Sequence, residues 1–177
     1  MTAEDSIRER TSSDLPACAR ALREVHEVDG YPVEGVDDAE GWLLPAGLLN
    51  AWVSGTPNKI LGHVAICAPQ GEAAVSMLIE QTGLAEERIA VMARLFVVPA
   101  ARGKNLGQGL ATAAAAYAWS RDLRVVFDVM AKDKTAIRLY ERLGCQRLGT
   151  TLHQFGDGQQ VPAYCYVAPE IVAERAH

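Results

Sequence analysis

One stretch of this chain decides its fold: it reads LFVVPAARGKNLGQGL over residues 95–110. An apolar strand stops at Pro99, a basic loop with spaced glycines follows, and an alanine-rich helix begins near Leu106. This order brings free backbone N–H groups and the positive end of a helix dipole to one point. Because such a point binds phosphate, the stretch predicts a site for the diphosphate of a nucleotide-like cofactor.

The composition favours one globular domain. The 177 residues are 49% hydrophobic, enough for a sizeable core, so we expect a single domain over 1–177. A net charge of −5 disfavours a general nucleic-acid surface. The polar start, residues 1–10, lacks the apolar segment of a signal peptide, and no run of 18 apolar residues occurs. We therefore expect a cytoplasmic protein with neither a nucleic acid nor a membrane as partner.

Four cysteines are scattered along the chain without C-x-x-C spacing: Cys18, Cys67, Cys145 and Cys165. This spacing gives no support to a zinc or redox motif, so we expect no metal. We interpret the four thiols as reduced core residues, with a catalytic cysteine left open as the less favoured alternative.

Periodicity and turn residues predict the order β-α-α-β-β-α-β-α-β-α-β-β. The predicted strands are 7–10, 48–53, 59–67, 88–98, 124–130, 145–155 and 161–167. The predicted helices are 12–28, 38–43, 71–81, 106–120 and 134–143. This order indicates a mixed α/β sandwich, in which helices cover both faces of one twisted sheet.

Three interpretations compete for the loop over residues 102–109. A nucleoside-triphosphate loop needs G-x-x-x-x-G-K-[S/T], which is absent from the sequence. A dinucleotide fingerprint needs G-x-G-x-x-G; Gly107 and Gly109 supply two glycines, but Thr112 occupies the third position. The loop could also be a solvated basic turn.

The surrounding residues favour a functional loop. Residues 102–107 resemble the R-x-x-G-x-G signature of the GNAT superfamily, the acyl-CoA-dependent N-acetyltransferases, with Asn105 in place of the first glycine. Asparagine tolerates a positive φ, so the turn can survive. Residues 127–144 resemble the second cofactor segment of that family, and the matching positions are Ala136, Tyr140, Leu143 and Gly144. Asp133 stands where the family often has asparagine, which could reduce its role to helix capping.

The resemblance implies a fold, a cosubstrate and a set of binding residues. The expected fold is an α/β (α+β), mostly antiparallel sheet of about seven strands, splayed at the cofactor strand. The cosubstrate is acetyl-CoA, whose diphosphate would bind the loop and whose pantetheine arm would pair with strand 95–98. The residues implied to bind it are Leu95, Phe96, Val97, Arg102, Gly103, Lys104, Asn105, Leu106, Gly107, Gln108, Asp133 and Tyr140.

Two residues receive catalytic roles from the same resemblance. Tyr140 is the candidate acid for the leaving thiolate, and its alternative is a core tyrosine on an amphipathic helix. Asp128 is the candidate base, and its alternative is a solvent-facing residue of an alternating strand. The N–H of Val97 would polarise the thioester carbonyl. The other candidate bases are His26, Glu27, His63 and Glu72.

The acceptor pocket is expected in the loop after the first helix, because that loop usually forms its wall in the family. The candidate acceptor-binding residues are His26, Asp29, Tyr31 and Trp42. An acidic and aromatic lining suits a cationic amine, whereas the alternative is a solvated loop with Trp42 packed on the core. The final hairpin, with His153 and Tyr164, would close the pocket from the other side. Segment 71–84 is either a lid or a surface addition.

These observations predict an enzyme that acetylates the primary amine of a small molecule by direct attack in a ternary complex. Two alternatives stay open: an acyl-CoA-binding sensor that has lost catalysis, and a Rossmann-type nucleotide binder, which Thr112 and the strand order disfavour. Family members often dimerise, which makes a homodimer an option although no face of this chain predicts an interface.

Overall fold

The computed structural model describes residues 6–170, so the first half of the polar start at 1–10 lies outside it. Seven strands form one sheet in the order β1-β2-β3-β4-β5-β7-β6. The strands are β1 Ile7–Glu9, β2 Leu48–Thr56, β3 Lys59–Cys67, β4 Ile89–Val97, β5 Arg124–Met130, β6 Gln146–Phe155 and β7 Gln159–Val167. The predicted number and order of strands are therefore confirmed, with shifts of a few residues at their ends.

The sheet opens between two of its central strands. All neighbouring strands are antiparallel except β4 and β5, which run parallel. Their register joins only Ile89 to Arg124, Ala90 to Val125 and Val91 to Val126. Residues 92–97 of β4 have no register partner on β5, so the two strands diverge. The predicted mostly antiparallel, splayed sheet is thus confirmed.

Within residues 6–170, five α-helices cover the sheet: α1 Leu15–Asp29, α2 Ala39–Trp42, α3 Ala73–Thr82, α4 Leu106–Trp119 and α5 Lys134–Arg142. On one face, α4 and α5 bury a core that includes Trp52, Met92, Leu110 and Phe127. On the other face, α1 and α2 pack over β2 to β4, and α3 packs over β4, β5 and β7. The two faces follow from strand alternation, since neighbouring side chains of a strand point to opposite sides.

The segment 71–84 belongs to the core rather than to the surface. Its helix α3 buries Ala74, Val75 and Leu78 against a cluster that includes Val126 and Cys165. Removing a large apolar side chain from such a cluster costs about 2–5 kcal/mol of stability. Helix α3 is therefore a structural layer of the fold and not merely a surface addition.

Candidate active site

A cleft of about 1300 Å³ lies where β4 and β5 diverge. Its lining includes residues 94–97 of β4, residues 127–130 of β5, the loop before α4, the first turn of α4 and one face of α5. The cleft is therefore lined by elements from both faces of the sheet.

One side of the cleft is a row of unpaired main-chain donors. The backbone N–H groups of residues 103–108 donate to no acceptor within residues 6–170. Gly103 has φ 82° and Asn105 has φ 59°, and these left-handed residues turn the chain into α4. We call these six N–H groups the amide cradle. With the positive end of the 14-residue helix α4 behind them, they suit a diphosphate.

The two basic residues of this loop lie in different surroundings. Arg102 donates to the carboxylate of Asp29 at the end of α1, and its Nε donates to the Val97 carbonyl at 3.1 Å. Lys104 is exposed and does not line the cleft. Asp29, predicted to bind the acceptor, is therefore found fixing the loop through Arg102.

A bulge in β4 redirects the strand at the edge of the cleft. The β3–β4 register shifts between His63 and Ala65, which leaves two residues of β4, Arg94 and Leu95, opposite one of β3. Arg94 has φ 61°, and its carbonyl accepts a hydrogen bond of 2.8 Å from His63 Nδ1. His63 Nε2 in turn accepts from Arg10 at 2.9 Å. A neutral imidazole with its proton on Nδ1 satisfies both bonds.

His63 is consequently a structural residue and not a base. Its side chain is fully buried, and burial lowers the pKa of the imidazole to about 3. Its ring stacks on Phe96 with centroids 5.2 Å apart. The candidate base role considered for His63 is therefore wrong, because neither ring nitrogen can reach a substrate.

The main chain beyond the bulge offers a donor to the cleft. The N–H of Val98 donates to the Leu61 carbonyl on β3 at 2.9 Å. Since successive N–H groups along a strand point to opposite edges, the Val97 N–H points away from β3 toward the gap. This direction suits the predicted polarisation of a carbonyl oxygen.

Tyr140 lies on α5 at the boundary between core and cleft. It is buried, and its ring centroid lies 4.3 Å from that of Phe127. Its hydroxyl has no hydrogen-bond partner among the residues that the structure describes, although the residue lines the cleft. Burial raises the pKa of the phenol far above its usual value. Tyr140 is therefore both a core residue and a protonated donor available to a ligand.

A second part of the cleft lining, which we call the acceptor wall, consists of side chains. Its members are Tyr31, Glu34, Trp42, Arg94, Asp128 and His153. His153 Nε2 lies 3.1 Å from Glu34 Oε1, and His153 Nδ1 lies 3.9 Å from Asp128 Oδ2. Burial raises the pKa of Asp128, an effect opposed by His153. Half of the Asp128 side chain stays exposed, so the carboxylate is both accessible and more basic than usual.

Aromatic rings form the base of this wall. Tyr31 packs edge-on against Trp42 at 5.7 Å between centroids, and Trp42 lies 6.3 Å from Phe96. The guanidinium carbon of Arg94 lies 4.5 Å from the Trp42 ring centroid. Arg94 thus already makes the cation–π contact that was predicted for a cationic acceptor.

Most of the predicted site residues meet in this cleft. His26 and Lys104 do not line it. Tyr164 also lies outside it, with the guanidinium carbon of Arg147 3.7 Å from its ring centroid. Asp133 caps α5 by accepting from the Ala136 N–H at 3.2 Å, and it also lines the cleft. Sequence reasoning missed Arg94, because an arginine inside an apolar strand carries no motif.

Other groups in the described part of the chain bear on the chemistry. The cysteines at 18, 67, 145 and 165 are free, and burial raises the pKa of each thiol, which disfavours a reactive thiolate. Between residues 6 and 170, no group of three or more His, Cys, Asp or Glu side chains is arranged to hold a metal ion. Within the same range, no helix is long and apolar enough to cross a membrane.

The family model of the acetyltransferase (GNAT) family matches residues 15–145. The chain belongs to the GNAT acetyltransferase family. This membership confirms the predicted resemblance to the GNAT family, and it supports acetyl-CoA as the cosubstrate. The matched range contains the amide cradle and all of the acceptor wall except His153.

A curated relative is similar over part of its length. It is a mycothiol acetyltransferase from Rhodococcus erythropolis, 31% identical over 126 residues that cover 68% of this chain. The aligned region spans only 38% of that relative, so its activity as a whole protein does not transfer directly.

Solved structures share the fold at low sequence identity. A ribosomal-protein-alanine N-acetyltransferase from Brucella melitensis aligns with a TM-score of 0.69 at 18% identity, covering 92% of this chain and 98% of its own. A phosphinothricin acetyltransferase from Sinorhizobium meliloti, in complex with acetyl-CoA, aligns with a TM-score of 0.69 at 15% identity, covering 93% and 87%. Because one name refers to a protein substrate and the other does not, the fold alone leaves the acceptor open.

Proposed function

We propose that this protein transfers the acetyl group of acetyl-CoA to the primary amine of a small molecule, by direct attack within one ternary complex. The observation that carries the choice of a small acceptor is the 3.1 Å contact between Glu34 and His153. It joins the loop after α1 to strand β6, which are 119 residues apart in sequence. A pocket bounded by this contact favours a compact molecule over an extended polypeptide.

The amide cradle would hold the diphosphate of acetyl-CoA, and the fit rests on its six unpaired N–H groups. When bound, acetyl-CoA supplies the acetyl group as a thioester. Lys104 would add positive charge beside the cradle, whereas the charge of Arg102 is paired with Asp29. The unpaired backbone edge of β4 over 95–97 would accommodate the pantetheine arm. The N–H of Val97 would polarise the thioester carbonyl, and losing one such donor commonly costs about 3 kcal/mol.

The acceptor amine must lose a proton as it reacts. Its nitrogen forms the new C–N bond to the acetyl carbon while the C–S bond breaks, so one proton leaves nitrogen and one reaches sulfur. Asp128 would take the first proton, because its raised pKa and exposed carboxylate suit a base in the cleft. His153, 3.9 Å away, would relay that proton toward solvent.

Tyr140 would supply the proton that sulfur takes. Its raised pKa keeps the phenol protonated until the C–S bond breaks, and its hydroxyl is free to donate. A free thiol has a pKa of about 8.5 and a free phenol about 10, so the transfer is uphill, and the raised pKa of Tyr140 makes it more so. Its benefit is that no thiolate is left in a dry site, and Tyr140 regains a proton from solvent.

The features that raised the alternative of a sensor fit an active enzyme as well. Asn105 adopts the φ of 59° that the missing glycine would supply. Asp133 caps α5 and so keeps the helix that carries Tyr140 in place. The cytoplasmic location and the homodimer stay predictions.

A panel of small primary amines and one peptide with a free N-terminal alanine tests the proposal. We expect mass gain of one acetyl group on a small amine, with one thiol released per acetyl transferred. Acetylation of the peptide alone would overturn the small-molecule acceptor, and thiol release without any acetylated amine would overturn the transferase.

Asp128→Asn tests the base within the same assay. We expect kcat/KM to fall about 100-fold and its rise with pH to flatten, since the carboxylate acts only when deprotonated. Asp157→Asn, in the exposed turn between β6 and β7, is the matched control and should leave the profile unchanged. An unchanged profile in Asp128→Asn would clear Asp128 of this role.

A further inference from the structure

Arg94 is held at the edge of the cleft by its backbone. It occupies the β4 bulge with φ 61°, and His63 fixes its carbonyl. His63 is held from the other side by Arg10, whose Nη1 also donates to the Leu43 carbonyl at 2.7 Å. A buried hydrogen-bond network thus keeps a residue in the left-handed region, where an arginine pays a conformational cost.

The Arg94 side chain belongs to the acceptor wall and has no anionic partner there. Its guanidinium covers Trp42 at 4.5 Å, and its Nε is buried with no hydrogen-bond acceptor. None of the carboxylates within residues 6–170 forms an ion pair with it. The arginines that do have carboxylate partners are Arg8, Arg102, Arg124 and Arg147.

A half-buried guanidinium without a counter-charge is energetically unfavourable. Burying a charge costs free energy that only a counter-charge and hydrogen bonds offset. The cation–π contact with Trp42 offsets part of this cost. Because Arg94 also lines the cleft, the missing anion is best supplied by a bound molecule.

We propose that Arg94 binds a carboxylate of the acceptor, so that the substrates are primary amines that also carry a carboxylate. This inference rests on the proposed function and names its substrate class. A guanidinium pairs with a carboxylate through two parallel hydrogen bonds, which fixes the orientation of the acceptor. The amine of the same molecule then faces Asp128 and His153, the proton-accepting side of the acceptor wall.

A set of linear amino acids, each compared with its carboxamide, tests the inference. The probes are glycine, β-alanine, 4-aminobutyrate and 5-aminovalerate and their carboxamides. The series varies the distance from amine to carboxylate, and each carboxamide removes the negative charge at the same position. We expect kcat/KM for at least one carboxylate to exceed that of its amide by tenfold or more. Arg94→Gln should remove this preference by raising KM, and Arg94→Lys should retain part of it.

Matched measurements separate the possible failures. Arg23→Gln removes one exposed charge from α1, outside the cleft, and should keep the preference. Equal rates for carboxylates and amides, or a preference that survives in Arg94→Gln, would overturn the inference while leaving the transferase intact. Calorimetric binding of the probes in the presence of CoA gives the same comparison without turnover: equal affinities would overturn the inference. Absence of acetylation of every amine, by contrast, counts against the proposed function.

Discussion

The amide cradle and the acceptor wall line one cleft but are built differently. The cradle is six consecutive main-chain N–H groups from residues 103–108. The acceptor wall gathers six side chains from residues 31–153, which belong to four separate parts of the chain. One side therefore depends on backbone conformation at a single turn, and the other depends on the whole sheet being assembled.

This difference means that the two parts of the site can be perturbed separately. Main-chain donors bind a diphosphate whatever side chains surround them, as long as the turn keeps its φ angles. Side chains such as Arg94 and Glu34 can change without disturbing the cradle, so acceptor choice can vary while acetyl-CoA binding persists. The substitutions below perturb one side at a time.

The largest effect is expected at Tyr140, which lines the same cleft. Tyr140→Phe removes the hydroxyl and keeps the ring against Phe127. We expect kcat to fall about 100-fold with the Kd for acetyl-CoA changed less than threefold, because the lost group acts on the proton of the leaving sulfur. Steady-state kinetics and calorimetry measure the two quantities. Tyr164→Phe, outside the cleft, is the control; equal turnover in both variants would return Tyr140 to a packing role alone.

A smaller effect is expected at His63, which holds the bulge between the two sides. Its pKa is lowered to about 3 in the folded protein, from 6.5. As pH falls, His63 therefore takes up its proton in the unfolded chain before it does so in the folded protein. The stability present above pH 6.5 is lost as pH falls toward 3. We expect the free energy of unfolding to drop by roughly 2 kcal/mol between pH 6.5 and 4.5.

Chemical denaturation at several pH values measures this loss, and His63→Asn is its control. The asparagine amide can donate to the Arg94 carbonyl but does not titrate. The variant should lose most of the pH dependence in this range, although it is less stable overall. An equal slope in both proteins would contradict a neutral, buried His63.

The smallest effect is expected within the cradle itself, at Asn105. Asn105→Val forces a β-branched residue to φ 59°, at a cost of about 1–2 kcal/mol, whereas Asn105→Gly keeps the turn. We expect affinity for acetyl-CoA to fall about tenfold in the valine variant and to stay within twofold in the glycine variant. Asp122→Val imposes the same strain at φ 59° outside the cleft. If Asp122→Val weakened acetyl-CoA binding as much as Asn105→Val does, the loss would come from lower overall stability and not from the cradle.

The cradle was predictable from local sequence. Most of the acceptor wall was expected only through the family resemblance, and Arg94 was not expected at all. Residues 95–110 carry a strand end, a basic turn and a helix start in a fixed order, so their local physics predicts where N–H groups are left free. Arg94 and His153 reach the cleft only through the bulge in β4 and the pairing of β6 with β7. His63 is a candidate base from sequence alone, because the burial and the two hydrogen bonds that exclude this role depend on residues distant in sequence.

Amide resonances of residues 103–108, followed by NMR during titration with acetyl-CoA, test the central claim most directly. These six N–H groups are unpaired in the structure, so binding should shift them more than other amides and slow their hydrogen exchange. Saturable binding that leaves the six resonances in place would contradict the claim that this turn holds the cosubstrate.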